Sequence, residues 1–404
     1  MLERSLRQDA RVIGLVSGAH CFSHFCQLTL PPLFPLLKTV FEVPYVALGL
    51  AMSVFYAASG VGQTVSGFLV DRIGARRVLL SGMSLFALAI ALAGLVPSYA
   101  WLQPVALLAG LGNSVFHPAD YSIFNAVISP RRVARAYSIH SVSGGLGWAI
   151  APAVVGGLTA AFGWRWALLT IGGAGLIATA ALALQSDVLP DRHAARAPRG
   201  SERNGFAGDV RLLMTAPILM AFAYFAFAAT ASVGLQTFSI TALVSVYAVP
   251  LALASSALTA YLIGGAAGVL AGGFLADRVR RHDLVAAVGL TLAAALMLLV
   301  GMSSVPVEAL AIVMSLAGFC QGATAPSRDM LVRAATPPGA SGKVFGFVYS
   351  GLDLGSSLTP LAFGLLLDRG EPRVVFFAVA GLMLATIVTV VQVRRRAVLA
   401  AARA

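Results

Sequence analysis

A histidine, a proline and an aspartate interrupt an apolar stretch at residues 110–124, which read GLGNSVFHPADYSIF. Asn113, His117 and Asp120 are four and three residues apart, so on a helix they form one polar stripe. An imidazole next to a carboxylate can transfer protons or hold a polar solute. Because ionisable groups are costly within apolar segments, we expect this stripe to face a cavity and to have a function.

Two more histidines lie in the first apolar stretch, where residues 20–26 read HCFSHFC. His20 and His24 share a helix face, Cys21 lies beside His24, and Cys26 points to the opposite side. At most three of these four side chains converge, so a tetrahedral zinc site would need a ligand from another segment. No spacing in the sequence supplies that ligand. The prediction is therefore that no metal ion and no cofactor is bound.

Polar groups at related positions recur in the second half of the chain. Asn113 and Gln321 are 208 residues apart, and so are Asp120 and Arg328. Opposite charges at equivalent positions favour an ion pair across a cavity. Separation of such a pair would favour protonation of the aspartate and so link proton binding to conformation. Arg328 could instead bind an anionic solute through its planar guanidinium. Asp353 is a further carboxylate in an apolar stretch.

The segments that carry these groups have the composition of a membrane protein. Hydrophobic residues make up 58% of the 404 residues and charged residues 11%, whereas a soluble domain is about one quarter charged. Uninterrupted apolar stretches of spanning length are typical of helices and not of barrel strands. We predict an all-α membrane protein with twelve transmembrane helices. They are placed near residues 12–36, 45–70, 76–96, 101–127, 134–160, 164–185, 215–243, 248–276, 282–303, 306–333, 341–367 and 372–393.

The distribution of basic residues predicts the orientation. If both termini are cytoplasmic, most of the 28 Lys and Arg fall in cytoplasmic segments. Those in the outer loops are Lys38, Arg165, Arg369 and Arg373. This asymmetry follows the positive-inside rule, so the net charge of +12 reflects topology and does not indicate nucleic-acid binding. We expect a multi-pass protein of a bacterial-type inner membrane.

An internal repeat organises the chain. GFLVDRIGARR at 67–77 returns as GFLADRVRR at 273–281, and LGWAIAPAVVG at 146–156 matches LGSSLTPLAFG at 354–364. Two such homologous halves place a binding site near the membrane midplane, where the halves meet. The predicted domains are an N-terminal six-helix bundle (1–185), a polar cytoplasmic linker (186–212), a C-terminal six-helix bundle (213–393) and a basic cytoplasmic tail (394–404).

The loop between the second and third spans reads G-x-L-x-D-R-x-G-x-R-R. With the two six-helix halves, it resembles the major facilitator superfamily along essentially the whole chain. The resemblance implies two pseudo-symmetric bundles and a cytoplasmic gate, in which Asp71 accepts bonds from a helix N-terminus and from arginine. Alternatively, the loop charges serve only as a topology signal. The predicted gate residues are Gly67, Asp71, Arg72, Gly74, Arg76 and Arg77, with Asp277 and Arg278 in the second copy.

Shorter segments indicate a particular group within this superfamily. GNSVFHP in span four and AHCFSHF with LFPLL in span one are similar to the fosmidomycin-resistance group of drug exporters. This similarity implies proton-coupled export of a drug-like or small anionic organic compound by alternating access. Proton symport that imports an organic acid is the alternative, and divalent metal transport is less favoured. APAVVGG at 151–157 departs from the Gly-Pro-x-x-Gly-Gly element of many antiporters, which leaves the direction open.

Enzymatic chemistry is disfavoured, because no Ser-His-Asp triad and no metalloprotease spacing is present. The expected partners are a small-molecule substrate, protons and the lipid bilayer, with no nucleic acid, and the protein is expected to be a monomer. The residues predicted to bind substrate or couple protons are His20, His24, Asn113, His117, Asp120, Tyr121, Gln321, Arg328 and Asp353.

Overall fold

The computed structural model describes residues 6–129, 132–189, 211–276, 278–279, 281–328 and 341–401. Its chain divides into two compact units, Met1–Arg199 and Gly200–Ala404. Within the described ranges, nine helices are long and apolar enough to cross a membrane. The fold is all-helical, with the twelve-helix, two-bundle architecture predicted from the sequence.

The first unit begins with α1, which is interrupted before the first predicted span ends. Pro31 and Pro32 lie in a short 3-10 turn that separates α1 from α2. Proline has no backbone N–H and blocks the preceding helical turn, which explains the interruption. The helices of this unit are α1 (Leu6–Gln27), α2 (Phe34–Phe41), α3 (Tyr45–Ile73), α4 (Ala75–Ala93), α5 (Tyr99–Asn113), α6 (Phe116–Val127), α7 (Val133–Phe162) and α8 (Trp164–Leu184).

The fourth predicted span consists of two helices, α5 and α6. Helix α5 ends at Asn113 and α6 begins at Phe116, with Ser114 and Val115 between them. Pro118 is the third residue of α6, a position in the first turn where proline breaks no intrahelical hydrogen bond. The break places Asn113 on one helix and His117 with Asp120 on the next.

The second unit repeats the same kind of packing. Its helices are α9 (Ala216–Tyr247), α10 (Leu251–Ala276), α11 (His282–Gly301), α12 (Leu310–Gly322), α13 (Ser341–Asp368) and α14 (Arg373–Ala401). Helix α9 packs against α13 and α14, and α10 packs against α12. After α12 the chain turns at Ala323 and Thr324 and is helical again up to Arg328, which parallels the break between α5 and α6.

A buried ion pair connects α1 with the start of α7. Arg132 Nε donates to Asp9 Oδ2 at 2.7 Å, and the Asp9 side chain is 1% exposed. The backbone N–H of Ser129 also donates to this oxygen, at 3.4 Å. Nearby, Arg11 and Asp187 form a second pair at 2.8 Å, but both side chains are largely exposed. Removal of one partner should therefore cost more for the buried pair than for the exposed one.

Candidate functional site

Three helices of the first unit bring four histidines and an aspartate together. His20 and His24 lie on α1, His117 and Asp120 on α6, and His140 on α7. The ring centroid of His20 lies 3.7 Å from that of His140, 4.2 Å from that of His24 and 5.2 Å from that of His117. We call these five residues the histidine cluster, with His20 at its centre.

Asp120 is the acidic member of the histidine cluster and is fully buried. Its Oδ2 lies 2.9 Å from His140 Nε2 and 3.6 Å from His20 Nδ1. Within the described residues, Asp120 Oδ1 is buried and has no hydrogen-bond partner. One carboxylate between two imidazoles can share a proton with either ring, and a free carboxylate oxygen can accept a further proton or donor.

An amide network continues from the cluster along α1. His24 stacks on Trp148, with ring centroids 4.1 Å apart. Trp148 Nε1 donates to Gln27 Oε1 at 3.0 Å, and Gln27 Nε2 donates to Asn113 Oδ1 at 3.1 Å. The indole is thereby fixed in orientation and holds one face of the His24 ring.

Asn113 connects three helices. Its Nδ2 donates to Ser59 Oγ on α3 at 2.8 Å, and its Oδ1 accepts from Ser23 Oγ on α1 at 3.1 Å. Since buried amides are stabilising only when their hydrogen bonds are made, Asn113 holds α1, α3 and α5 together beside the histidine cluster. This arrangement favours a positioning role for Asn113 over direct contact with a solute.

Gly144 on α7 leaves the space that the α1 histidines occupy. A Cβ atom at this position would lie 2.7 Å from His24 Nδ1 and 2.9 Å from His20 Nε2. Both nitrogens therefore point towards the same small space above the Gly144 backbone. Three residues further on, Gly147 packs directly against the backbone of Cys21, so small residues of α7 allow the close approach of α1.

His117 and Tyr121 form the exposed edge of the cluster. His117 Nδ1 lies 3.2 Å from Gln63 Oε1, and its ring stacks on Tyr121 with centroids 5.8 Å apart. Tyr121 is 41% exposed, and its ring lies 5.5 Å from that of His140. A polar solute or ion could therefore reach the histidine cluster along this edge.

Three of the predicted site residues lie in the second unit. Gln321 Nε2 donates to Ser232 Oγ at 2.9 Å, and Gln321 Oε1 accepts from the Tyr261 hydroxyl. Its amide thus joins α12 to α9 and α10, as Asn113 joins helices in the first unit. The Arg328 guanidinium lies 4.4 Å from the ring centroid of Phe225, within range of a cation–π interaction. Asp353 is exposed on α13.

The predicted pair between Asp120 and Arg328 would join the two units and stays a prediction. Within the first unit, the contacts of Asp120 are with two imidazoles. The aromatic face of Phe225 supports the guanidinium of Arg328 within the second unit.

The loop of the predicted gate has a tight turn at Gly74. This residue ends α3 and precedes α4 with φ of 93°, a conformation that strains residues with a side chain. Arg76 Nε donates to Ser186 Oγ at 2.8 Å, which attaches the start of α4 to the end of α8. Asp71 is exposed at the end of α3.

The other gate residues have less defined surroundings. Arg72, Arg77 and Arg278 are exposed. A Cβ atom on Gly67 would meet no described atom within 4 Å. Asp277 lies outside the described residues.

The predicted set of site residues leaves out several residues of the site, among them His140, an ionisable residue in span five for which the sequence favours a structural hydrogen bond and proton transfer equally. Gln27, Gln63 and Trp148 are also absent from that set. The sequence does contain one indication that α7 contributes to the site. His140, Gly144 and Trp148 follow one another at intervals of four residues and therefore share one face of this helix. The polar and aromatic character of that face is unusual for a helix in lipid.

Comparison with known proteins agrees with the fold. The family model described as Major Facilitator Superfamily matches residues 16–254 and 226–402. The chain is 25% identical over 285 residues to the fosmidomycin resistance protein of Escherichia coli (strain K12), covering 69% of this chain and 68% of that protein. It is 28% identical over 129 residues to a probable L-galactonate transporter of the same strain, covering 32% of this chain and 28% of that protein.

A solved structure shares the architecture. It is the inward-facing, unoccupied crystal structure of a bacterial homologue of the human lysosomal transporter Spinster, with a TM-score of 0.77 at 17% identity. The match covers 98% of each chain. At this identity the likeness supports the fold alone.

Proposed function

Since this chain belongs to the Major Facilitator Superfamily, we propose that it is a proton-coupled secondary active transporter that exports a drug-like or small anionic organic compound by alternating access. The observation that carries the proposal is the fully buried Asp120 between His140 and His20. A buried ionisable group in a membrane protein is costly and generally serves transport or proton transfer.

Proton coupling requires a group whose proton affinity changes with conformation. Asp120 meets this requirement if it pairs with Arg328 in one state and with the imidazoles in another. His117 and His20 would then pass the proton between the exposed edge and Asp120. Asp353 is a second carboxylate that could be protonated during the cycle.

The anionic class of substrate is supported by Arg328 and by the relatives. A guanidinium beside an aromatic ring binds a carboxylate, sulfonate or phosphonate with directed hydrogen bonds. The relative named for fosmidomycin resistance supports export. Import of an organic acid by proton symport is the second candidate, and the relative named as a probable L-galactonate transporter supports it.

The proposal also covers the location, oligomeric state and partners of the protein. The chain is a multi-pass membrane protein, for which we propose the bacterial inner membrane with both termini cytoplasmic. We propose that it acts as a monomer, with protons and a small-molecule substrate as partners. The proposed cycle includes no enzymatic step and no nucleic acid.

Transport in proteoliposomes tests the proposal. The purified chain is reconstituted with a pH-sensitive dye inside, and a panel of carboxylates, sulfonates, phosphonates and uncharged drugs is added. We expect at least one anionic compound to change the internal pH, since coupled transport moves protons with or against the solute. The sign of the change distinguishes symport from antiport.

The matched variants are Asp120→Asn and Asp187→Asn. Asp120→Asn should remove the substrate-dependent pH change, whereas Asp187→Asn removes an exposed carboxylate of the same unit and should leave it intact. Substrate-dependent proton movement that is equal in the two variants would exclude Asp120 as the coupling group. Transport of anions without any proton movement would exclude proton coupling altogether.

A further inference from the structure

We propose that the first unit contains a binding site for one divalent transition-metal ion, such as Zn²⁺, Co²⁺ or Ni²⁺, with His20, His24 and His117 as its protein ligands. The site goes beyond the proposed transport function. While an ion is bound, His20 and His117 are ligands and cannot pass protons to Asp120, so the proton transfer proposed above belongs to the metal-free protein. Imidazole nitrogen is a preferred ligand of these ions, and three histidines with a fourth open position are typical of exchangeable zinc sites.

The three imidazoles meet although they come from different spans. One ring nitrogen from each lies within 4.8 Å of the others. Metal–nitrogen bonds of about 2.0 to 2.1 Å hold two tetrahedral ligands roughly 3.4 Å apart. Side-chain rotations that close the gap by roughly an ångström would therefore complete the site. The missing ligand for the His20 and His24 pair is supplied by α6.

One of the three rings has a hydrogen-bond partner for a nitrogen that would not bind the ion, and a second ring lies near a carboxylate without a hydrogen bond to it. His20 Nδ1 lies 3.6 Å from Asp120 Oδ2, and His117 Nδ1 lies 3.2 Å from Gln63 Oε1. A ligating histidine usually donates its other N–H to a carboxylate or carbonyl oxygen, which orients the ring and raises its basicity.

Independent support comes from a free nitrogen and from the space beside it. Among the described residues, His24 Nδ1 is buried and forms no hydrogen bond of standard geometry; the polar contact of His24 is with the Gly144 backbone. Together with His20 Nε2, His24 Nδ1 lies against the Gly144 backbone, where the absence of a side chain leaves room for both rings. A buried polar atom without a partner is costly, and a bound ion would remove that cost for His24.

A second set of ligating groups overlaps with the first. His20, Asp120 and His140 also lie within ligand distance of one another. There, however, Asp120 Oδ2 is already 2.9 Å from His140 Nε2, and all three residues are buried. The set with His117 has an exposed ligand through which an ion can enter. In this assignment Asp120 and His140 support the ligands and do not bind the ion themselves.

Cobalt binding by the purified chain, without a polyhistidine tag, tests the assignment. Tetrahedral Co²⁺ has visible absorption bands that octahedral aqueous Co²⁺ lacks, and Zn²⁺ should abolish them by displacement. We expect one ion per chain. His24→Gln and His117→Gln should each weaken Co²⁺ binding by more than the roughly 10- to 100-fold typical for loss of a group that orients a ligand, whereas His140→Gln, which removes a partner of Asp120, should weaken it by less than either.

Gly144→Ala tests the geometry without removing a ligand. The added methyl group would lie within 3 Å of both α1 nitrogens and displace the two rings, so Co²⁺ binding should weaken by about tenfold or more. Gly157→Ala on the same helix is the matched control, because a Cβ atom there meets nothing within 4 Å. His282→Gln controls for binding by a histidine outside the cluster.

Several results would overturn the proposal. Absence of tetrahedral Co²⁺ spectra, or unchanged binding in both His24→Gln and His117→Gln, would exclude the site. Loss of binding in His140→Gln with retention in His24→Gln would assign the ligands to the other set and refute ours. Thermal unfolding of each variant without metal shows whether a loss reflects misfolding. Because the readout is binding, its failure leaves the transport proposal untouched.

Discussion

At the scale of single residues, the character of the site depends on what surrounds Asp120. The carboxylate lies against two imidazoles within its own unit, and neither ring carries a permanent charge as a guanidinium does. A proton that moves from the carboxyl group to an imidazole leaves an ion pair with no net charge, and a carboxylate that loses its proton altogether can still accept a hydrogen bond from an imidazole N–H. This property suits a group that must be protonated and deprotonated in every cycle.

The predicted partnership of Asp120 with Arg328 can be tested by exchanging the two charges. Either single change, Asp120→Arg or Arg328→Asp, should reduce folded protein, because a buried unpaired charge costs on the order of 3 to 5 kcal/mol. The double exchange should restore the yield of folded protein above both single variants, as judged by size-exclusion chromatography in detergent.

One outcome of the exchange experiment would exclude pairing of Asp120 with Arg328. If the double variant yields no more folded protein than the worse single variant, the two residues do not pair in the folded state. Arg328→Ala should separately weaken the binding of anionic compounds more than that of uncharged ones. Equal loss for both classes would assign Arg328 a structural role against Phe225.

At the scale of helices, packing in the second unit depends on glycine pairs. A Cβ atom on Gly318 of α12 would overlap the backbone oxygen of Tyr261 on α10, and one on Gly264 of α10 would overlap that of Ser315. The two helices are therefore in backbone contact. In membranes such small-residue contacts supply the van der Waals packing and close approach that hold helices together.

Gly318→Ala should destabilise the protein by about 1 to 3 kcal/mol or more, because the obstacle is backbone and cannot rotate away. The matched control is Gly273→Ala on α10, where a Cβ atom meets nothing within 4 Å. That change should be neutral or stabilising, since alanine favours helix by about 1 kcal/mol over glycine. Thermal unfolding in detergent measures both. Equal melting temperatures would contradict the close contact.

The pair of Asp9 and Arg132 supports a second prediction at this scale. Arg132→Ala leaves the Asp9 carboxylate buried without its cation and should cost about 3 to 5 kcal/mol. Arg11→Ala removes an arginine from an exposed pair on the same helix as Asp9 and should cost about 1 kcal/mol or less. A smaller loss of melting temperature in Arg132→Ala than in Arg11→Ala would contradict the assignment.

The sequence predicted the helices well and their breaks less well. The span predicted at 134–160 corresponds to α7 at Val133–Phe162, because a long apolar run has few alternatives in a membrane. Pro118 in GLGNSVFHP indicates a bend in span four, whereas the structure has a complete break there, between α5 and α6. Only tertiary contacts such as Asn113 with Ser59 determine it.

For the whole molecule, prediction of the site was limited by distance along the chain. His20 and His24 could be placed on one face of α1 from their spacing alone. That His117 and His140 meet them depends on which helices pack together, and the spacing within one helix does not contain that information. The helical face formed by His140, Gly144 and Trp148 was a partial signal that α7 completes the site.

Alternating access involves the whole molecule, and the predicted gate residue Asp71 would act on it. We expect Asp71→Asn to abolish transport while substrate binding is largely retained, because a latch between conformations changes their populations and not the contacts of the solute. Asp71 is exposed at the end of α3, beside the strained turn at Gly74, so its replacement should not unfold the unit.

Transport in proteoliposomes and substrate binding in detergent are compared for Asp71→Asn and for Asp187→Asn, which changes an exposed carboxylate outside the predicted latch. If Asp71 is part of the predicted gate, transport is lost in Asp71→Asn alone. The substrate dissociation constants of both variants then stay within a few-fold of that of the unmodified chain. Transport by Asp71→Asn at the original rate would make Asp71 a loop charge. Equal loss of binding and transport would indicate a structural defect, because a pure change in the switching of states leaves the occupied site intact.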